Sequence, residues 1–449
     1  LTKKVYLAAF ILYFTTVIFP QGTWSAPVCR SNLSRLLSPI LQKEPLVHSH
    51  LGISLRNLKD GDVLYELNSA NYFTPASNAK ILTTAAALYL LGENFTFSTA
   101  FFFNGQNLLI VGGGDPSLSS SDLVTIAQRL KQSRLKQIHK LLILTQDKAA
   151  SYPSTWEWGD LAYDYASIAG LINLNQNAFS ITLSPTQPGQ IAQLSFSDPQ
   201  LASFVKINNL VLSGEENGPI EVINNNSLEL RGKINQTISL DLSLPSAEDY
   251  FLESFAQTLK ENQISVAHTG KISTIPAGYY KITEFHSPPL SIIIKKINQD
   301  SNNFYAEALF NLLNSKNIQN ILENMGVNPK SFLLVDGSGL SRQNLTTPEA
   351  LVELLRTINK GKQAQVYRDS LAVAGRSGTL KMRFKGTIVE GNLWAKSGTL
   401  TGVSALSGYL NPPNYQPIVF SILVNQSPST NLRQEIDQII LLFSQLSPC

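Results

Sequence analysis

The sequence predicts an α+β protein in which an antiparallel sheet flanked by helices is interrupted by a large β-rich insertion. Three observations carry this. Near the C-terminus three strand-like runs, Leu393–Lys396, Ser404–Asn411 and Ile418–Asn425, follow one another and lead into a helical stretch, Asn431–Leu442. Near the N-terminus the runs His50–Leu58 and Val63–Leu67 flank Lys59-Asp60-Gly61-Asp62, whose Asp-Gly centre is a hairpin turn signal. Between residues 180 and 244, short alternating strands are separated by polar turns such as Asn224-Asn225-Asn226-Ser227.

The hairpin near residue 60 can complete the C-terminal sheet. That assigns residues 27–98 and 283–449 to one domain and residues 99–282 to an insertion within it. Length agrees: 449 residues, 43% of them hydrophobic, exceed the roughly 250–300 residues at which a single core stops growing. Along the chain, Ser31–Leu41 has helical spacing, and Pro75 precedes a strong helical run, Ser77–Leu91, that Gly92 ends. Phe97–Val111 is strand-like, a helix follows around Ser121–Gln132, and Lys140–Thr145 is a further apolar strand. Ser246–Asn262 is an amphipathic helix. From Ser291 the pattern alternates, with helices at Ser301–Asn314 and Thr347–Ile358. A net charge of +3 gives no reason to expect nucleic acid.

Residues 1–26 read as a signal peptide. Lys3 and Lys4 form a positive head, Val5–Phe19 is apolar and uncharged, and Pro20-Gln21-Gly22 breaks the run. Cleavage after Ser25 suits the small residue there, whereas Pro27 opposes a cut after Ala26. An uncleaved anchor, and with it a loose membrane association, is the rival reading. The two cysteines, Cys29 and Cys449, stand near opposite ends of the chain. In an exported protein they can form a bridge; two free terminal thiols are the alternative. The residues before Cys29, Ala26-Pro27-Val28, lack the small residue expected directly ahead of a lipidated cysteine.

The chemistry-bearing motif is Ser77-Asn78-Ala79-Lys80 at the start of a helix. Three residues are nearly one helical turn, so both side chains share a face. A hydroxyl is a poor nucleophile until a neighbouring amine of depressed pKa takes its proton, and the apolar run Ile81–Leu88 would desolvate Lys80. The pattern alone is weak, since Ser133-Arg134-Leu135-Lys136 fits it too. Two companions strengthen it. Ser301-Asn302-Asn303 opens a helix and offers a hydroxyl and an amide two residues apart. Lys396-Ser397-Gly398-Thr399 ends a strand, where a cation and hydroxyl can dock a carboxylate and the glycine admits substrate backbone. Ser69-Ala70-Asn71 and His268-Thr269-Gly270 are decoys of the same short patterns, so the ordered triple carries the signal rather than any one member.

At this point the chain resembles a known family, the penicillin-binding D,D-peptidases of the low-molecular-mass class C type, the S13 serine peptidases. Besides the three motifs, the resemblance rests on Val111-Gly112-Gly113-Gly114-Asp115-Pro116, Trp156-Glu157-Trp158 and Leu171-Ile172-Asn173-Leu174-Asn175. It continues in Ser287-Pro288-Pro289-Leu290, Asp336-Gly337-Ser338-Gly339-Leu340-Ser341-Arg342 and Ala374-Gly375-Arg376-Ser377-Gly378-Thr379-Leu380. It implies a serine β-lactamase/transpeptidase-like domain whose insertion holds two smaller domains, the β-rich one nested at about residues 169–245. It implies an exported, periplasmic enzyme of the cell envelope. Its substrates would be peptidoglycan stem peptides, cleaved at D-Ala-D-Ala or at D-Ala–diamino-acid cross-links, and β-lactams would inhibit it. Ser77 would be the acylated nucleophile and Lys80 its base, with Ser301 and Asn303 completing the proton relay. Lys396, Ser397 and Gly398 would bind the terminal carboxylate, and the N–H groups of Ser77 and Thr399 would form the oxyanion hole. Two departures stand out: Lys-Ser-Gly where many relatives have Lys-Thr-Gly, and Asn302 where an aspartate is common. Serine keeps the hydroxyl, and Asn302 is expected to face away from substrate.

Further candidates each have a plainer alternative. Arg342 suits a carboxylate of the stem peptide or a loop salt bridge. Asp147, supported by Thr401, suits the peptide's free amine, or simply forms a turn after a strand. Trp156 and Trp158 are expected to pack in the core rather than offer a sugar platform. The five histidines show no ligand spacing, so neither metal nor cofactor is expected. Gly112-Gly113-Gly114 is no phosphate loop, since no lysine follows in place and Asp115 would repel phosphate. A β-lactamase would need a deacylating glutamate, and no Glu-x-x-Leu-Asn stretch lies between the first two motifs. A non-catalytic envelope scaffold would be expected to lose Ser77, Lys80 or Lys396, and all three are present.

Overall fold

The computed structural model describes residues 28–145, 152–224, 228–429 and 431–449. The expected signal peptide and Asp147 lie outside these residues. The chain opens with α1 (Arg30–Leu41), the hairpin β1 (His50–Asn57) and β2 (Val63–Leu67), and α2 (Ala79–Leu91). Then come β3 (Ser98–Phe103), β4 (Leu108–Val111), α3 (Ser120–Gln132) and β5 (Gln137–Leu144). Six short strands follow: β6 (Ala178–Ser184), β7 (Gln193–Phe196), β8 (Ile207–Ser213), β9 (Glu221–Asn224), β10 (Leu228–Ile234) and β11 (Ile238–Ser243). The chain returns through α4 (Ala247–Glu261), β12 (Ser265–Ile272) and β13 (Tyr280–His286). Next are α5 (Leu290–Asp300), α6 (Asn303–Asn314), α7 (Ile318–Asn324), the short pair β14 (Phe332–Leu333) and β15 (Leu345–Thr346), α8 (Pro348–Lys360), and α9 (Ala364–Ser370). It ends with β16 (Ala372–Val373), β17 (Leu393–Leu400), β18 (Val403–Leu410), β19 (Ile418–Asn425) and α10 (Leu432–Phe443).

The N-terminal hairpin does join the C-terminal strands. One six-stranded sheet runs β16-β17-β18-β19-β1-β2, antiparallel throughout, with Ile53 opposite Ile422 and Ser407 opposite Ser421. Both faces are covered, which is why β18 and β19 are buried at every position. Period-two alternation sorts their side chains. Ala405, Tyr409, Val419 and Leu423 face a core built with α2, α5, α6 and α8. Leu406, Leu410, Phe420 and Ile422 face another built with α1 and α10. Residues 79–88 of α2 are all buried, so this helix is hydrophobic all round, as one at the centre of a layer must be. Full burial of each such Leu or Ile contributes about 1.5–3 kcal/mol.

Between α2 and α5 the chain builds separate sheets. β12-β5-β4-β3-β13 form a five-stranded mixed sheet, and the six short strands form two three-stranded ones, β8-β10-β9 and β11-β6-β7. Their apolar residues share a core with α3 and α4. The alternation read from Ser291 conceals a helix: Leu290–Asp300 is α5, with Leu290, Ile293, Ile294 and Ile297 on its buried side at helical spacing. Cys29 and Cys449 are disulfide-bonded, with Cα atoms 5.7 Å apart across a sequence separation of 420 residues. Among the described residues no helix is long and apolar enough to cross a membrane.

Candidate active site

Residues 75–80 are held as a rigid unit. Ala76–Asn78 is a single 3-10 turn feeding directly into α2, so Ser77 sits just before the α-helix rather than in its first turn. Ala76 has φ of +47°, a left-handed conformation an alanine keeps only where its surroundings enforce it. Asn78 pins the turn to the sheet: its Nδ2 donates to Ser407 Oγ of β18 at 2.7 Å, and that hydroxyl donates to Ser421 Oγ of β19 at 2.8 Å. On the other side stands Gly398 of β17, where a Cβ would lie 2.9 Å from Pro75 O and 3.0 Å from Ser77 N.

Lys80 is fully buried and Ser77 half-buried. Lys80 Nζ donates to Ser77 Oγ at 3.1 Å, to Asn303 Oδ1 at 2.7 Å and to the Ser338 carbonyl at 2.6 Å. None of these acceptors is an anion, so the cost of burying an ammonium is not offset by a direct ion pair. Burial pushes Lys80 down to about 7, against the opposing pull of Asp336 and Glu307. An amine of that kind is neutral for half the molecules at neutral pH and can accept a hydroxyl proton.

Ser301, at the C-cap of α5, has φ of +59°, a second strained residue in the site. It receives a 2.9 Å hydrogen bond from Lys396 Nζ, which also donates to the Ser397 carbonyl at 2.7 Å. Burial, with the neighbouring Lys80 charge, holds Lys396 well below the usual lysine range. Asn302 turns to the insertion, donating to Gln176 Oε1 at 2.6 Å, while its Oδ1 caps α6 by accepting from Tyr305 N–H. Asn303 faces Lys80 and donates from Nδ2 to the Tyr165 carbonyl at 2.8 Å.

The Lys-Ser-Gly triplet is not at a strand end, as its composition suggested, but in the middle of β17, which runs on to Leu400. β16 is two residues long and pairs only with Trp394 and Ala395, so from Lys396 onward β17 is an open sheet edge. Ser397 Oγ donates to Thr379 Oγ1 at 2.7 Å. Ser77, Asn303, Thr399, Thr401 and Arg342 line one cleft of about 300 Å³, together with Glu157, Asp160 and Tyr165 from the insertion. Arg342 pairs there with Glu157 and donates from Nη1 to the Thr401 carbonyl at 3.0 Å, so the loop salt bridge exists and lies on the cleft wall. Thr399 Oγ1 accepts from Arg433 Nη2 at 3.1 Å.

Two groups escaped the sequence reading. Trp158, expected in the core, is 68% exposed; Trp156 is the buried one, donating from Nε1 to Asp336 Oδ2 at 2.9 Å. Trp158 opens a 3-10 turn, Trp158–Asp160, so the two rings do not share the face that an extended run would give them. Glu307 and Asp336, both buried, stand close enough to Lys80 to act on its charge. Glu307 in the apolar run Phe304–Phe310 was a visible signal, because a carboxylate there requires partners.

An antiparallel sheet between two helical layers, with a Ser-x-x-Lys turn, a Ser-x-Asn turn and a Lys-Ser-Gly edge strand meeting at one cleft, defines a serine β-lactamase/transpeptidase-like protein. The chain belongs to the D-Ala-D-Ala carboxypeptidase 3 (S13) family, whose model matches residues 33–446, and is therefore a hydrolase of the serine peptidase type. It is 30% identical over 438 residues to penicillin-sensitive carboxypeptidase A of Dictyostelium discoideum, covering 85% of this chain and 84% of that one. It is 27% identical over 433 residues to a D-alanyl-D-alanine carboxypeptidase of Actinomadura sp. (strain R39), covering 87% and 80%. Penicillin binding protein 4 (dacB) from Haemophilus influenzae superposes with a TM-score of 0.81 at 24% identity over 90% of this chain and 97% of that one, a likeness that establishes the fold.

Proposed function

We propose that the chain hydrolyses D-Ala-D-Ala termini of peptidoglycan stem peptides, and D-Ala–diamino-acid cross-links, through an acyl-enzyme on Ser77, and that β-lactams inhibit it by acylating the same hydroxyl. The observation carrying this is the Lys80 ammonium nitrogen, fully buried, 3.1 Å from Ser77 Oγ and without an anionic hydrogen-bond partner. Neutral Lys80 takes the Ser77 proton as Oγ bonds to the substrate carbonyl carbon. The C–N bond then breaks, and the leaving amine takes a proton returned through Lys80 and Ser301. Water attacks the resulting ester, its oxygen forming the carboxylate, one of its protons restoring the Ser77 hydroxyl and the other leaving to solvent. Asn303 orients Lys80. Lys396, with Ser397, Gly398 and Thr399 along the open edge of β17 and Thr401 in the turn after it, docks the substrate's terminal carboxylate and backbone, and the N–H groups of Ser77 and Thr399 receive the oxyanion. The position of Arg342 on the cleft wall supports a share in stem-peptide binding.

An oxidising, extracytoplasmic location is part of the proposal; the Cys29–Cys449 bridge supports it, because such bridges persist outside the reducing cytoplasm. The insertion, residues 99–282, would govern how large a leaving group the cleft admits, since Glu157, Asp160 and Tyr165 form its outer wall.

The test is intact mass before and after incubation with a penicillin, with peptide mapping and a Ser77→Ala control. A lasting adduct on Ser77, absent from the control, is expected. Rapid drug hydrolysis without an adduct would reassign the chain as a β-lactamase-type hydrolase, and neither adduct nor hydrolysis would leave a non-catalytic scaffold.

A further inference from the structure

Behind Lys80 lies a buried carboxylate that none of the steps above uses. Glu307, on α6, is 6% exposed amid Phe304, Ala306, Ala308 and Leu309. It is far from idle: Oε1 accepts from Ser338 N–H at 2.8 Å and from Gly337 N–H at 3.1 Å. Ser338 presents its own carbonyl to Lys80 Nζ at 2.6 Å. One residue's backbone therefore joins Glu307 to the lysine.

The loop carrying that backbone has no slack. A Cβ on Gly337 would lie 2.4 Å from Phe310 Cβ, and one on Gly339 would lie 1.8 Å from Ala76 O, beside the serine turn. Asp336 holds the loop from its other side, accepting from Gly339 N–H at 2.7 Å, Ser341 N–H at 2.6 Å and Asn344 Nδ2 at 2.7 Å. A move of Glu307 is therefore passed on to the Ser338 carbonyl rather than absorbed.

We propose that Glu307 is a positioning residue for proton transfer at Ser77, holding the Ser338 peptide against Lys80 and supplying negative charge when Lys80 becomes an ammonium. The inference rests on the reading of Ser77 and Lys80 as nucleophile and base. When the proton leaves Oγ for Nζ, a charge forms in a site whose direct acceptors, Ser77, Asn303 and Ser338, are neutral. Asp336 and Glu307 are the acidic groups that act on it. Burial first, then the Asp336 charge, raises Glu307, while the hydrogen bonds from Ser338 and Gly337 favour its anion; an ammonium at Lys80 favours that anion further. Also near the pair, among the described residues, are Lys396 on β17, Asp164 and Tyr165 beside the N-terminus of α6, Tyr305 on α6 itself, Tyr367 on α9, and Glu248 across a cavity that Glu307 also lines. Lys295, Lys296 and Asp300 on α5 and Glu323 on α7 are solvent-exposed.

The test is the second-order rate of acylation by a chromogenic penicillin, measured from about pH 5 to about pH 9 for the wild type and for Glu307→Gln. Glutamine keeps the size and removes the charge. The expected result is a plateau at least about tenfold lower and an acid limb displaced to lower pH, because an unsupported ammonium forms less readily. The Ser338→Ala variant keeps the peptide but removes the hydroxyl that stabilises the Glu307 anion, and is expected to move the limb the same way by less. An acid limb that stays in place overturns the inference, whether the plateau falls or not, because a merely structural role lowers the plateau alone. If thermal unfolding shows Glu307→Gln to be unfolded, the limb of Ser338→Ala decides. Wild-type protein that takes no label on Ser77 overturns the functional reading itself, whereas labelled wild type with an unmoved limb in the variants overturns the inference alone.

Discussion

Replacing Gly398 by alanine tests whether the three motifs act as one constellation. The added Cβ would lie 2.9 Å from Pro75 O, 3.0 Å from Ser77 N and 3.2 Å from Ala76 Cβ. Relief requires a movement of a few tenths of an ångström, and each party resists it. β17 is tied to β18 through the register of Gly398 with Ala405, so retreat strains the ladder. The turn is tied through Asn78 to Ser407, and Ala76 is already at φ of +47°. What yields is the placement of Ser77 relative to Lys80, now 3.1 Å apart, and of the Ser77 and Thr399 N–H groups proposed to hold the oxyanion. Misplacement of about 1 Å at reacting atoms costs on the order of 100-fold, so a shift of a few tenths should lower the acylation rate about tenfold. Overpacking by one methyl should cost about 1–3 kcal/mol of stability, leaving the protein folded at room temperature. The assay is the second-order rate of labelling by a fluorescent penicillin, with a urea unfolding curve beside it. A folded variant that labels within about twofold of wild type would show that the close approach of β17 to the serine turn is irrelevant to the chemistry.

Three other outcomes are expected. Because the neutral form of Lys80 is the base and its pKa is lowered to about 7, the wild-type acylation rate should fall about tenfold per pH unit below that value and level off above it; a rate flat into the acid range would remove Lys80 from the role. Trp156→Phe deletes the donor to the buried Asp336 carboxylate and should destabilise the protein by about 1.5–3 kcal/mol in denaturant unfolding, the range for a hydrogen bond to a charged group. Replacing Cys29 and Cys449 together by serine opens a loop spanning 420 residues, for which chain entropy sets an upper bound of about 6 kcal/mol. The unfolding midpoint should drop, while Ser77 labelling at room temperature is unchanged, since the bridge joins the ends of α1 and α10 on the sheet face away from α2.

The sheet was legible because its strands announce themselves twice over. β18 and β19 are unbroken apolar runs, as strands buried on both faces must be, and the Asp-Gly turn fixes the hairpin of β1 and β2. α5 was harder: Ser291-Ile292-Ile293-Ile294 is β-branched and reads as a strand until its tertiary packing against α2 and α9 is known. At the site, the three short motifs pointed to Ser77, Lys80, Ser301, Asn303 and Lys396, and the structure brings these side chains together. Sequence could not show that Lys80 lacks an anionic hydrogen-bond partner, because its third acceptor is a main-chain carbonyl, which every residue possesses. Nor could it separate Trp156 from Trp158, since the 3-10 turn that begins at Trp158 and sends the two rings different ways has no signature in Trp-Glu-Trp.

The distribution of strain explains why a chain interrupted by so long an insertion still closes one site. Ala76, Ser301 and Gly339 all have positive φ, at +47°, +59° and +82°, and each belongs to a different segment meeting at Lys80 or Lys396. Such conformations cost about 1–3 kcal/mol apiece for the non-glycine residues and persist only where packing over-determines them. Two buried lysines add a desolvation cost of their own. The offset comes from α2 and α6, which pack on each other within the core on one face of the sheet and fix the three segments before any substrate arrives. The insertion contributes as well. Gln176 accepts from Asn302, the Tyr165 carbonyl accepts from Asn303, and Trp156 holds Asp336. The Ser301–Asn303 turn and the Asp336 loop are thus gripped from outside the domain that carries them. A chain whose insertion was cut away would lose these contacts at the residues that face Lys80, so its catalytic defect should exceed what the loss of a cleft wall alone would produce.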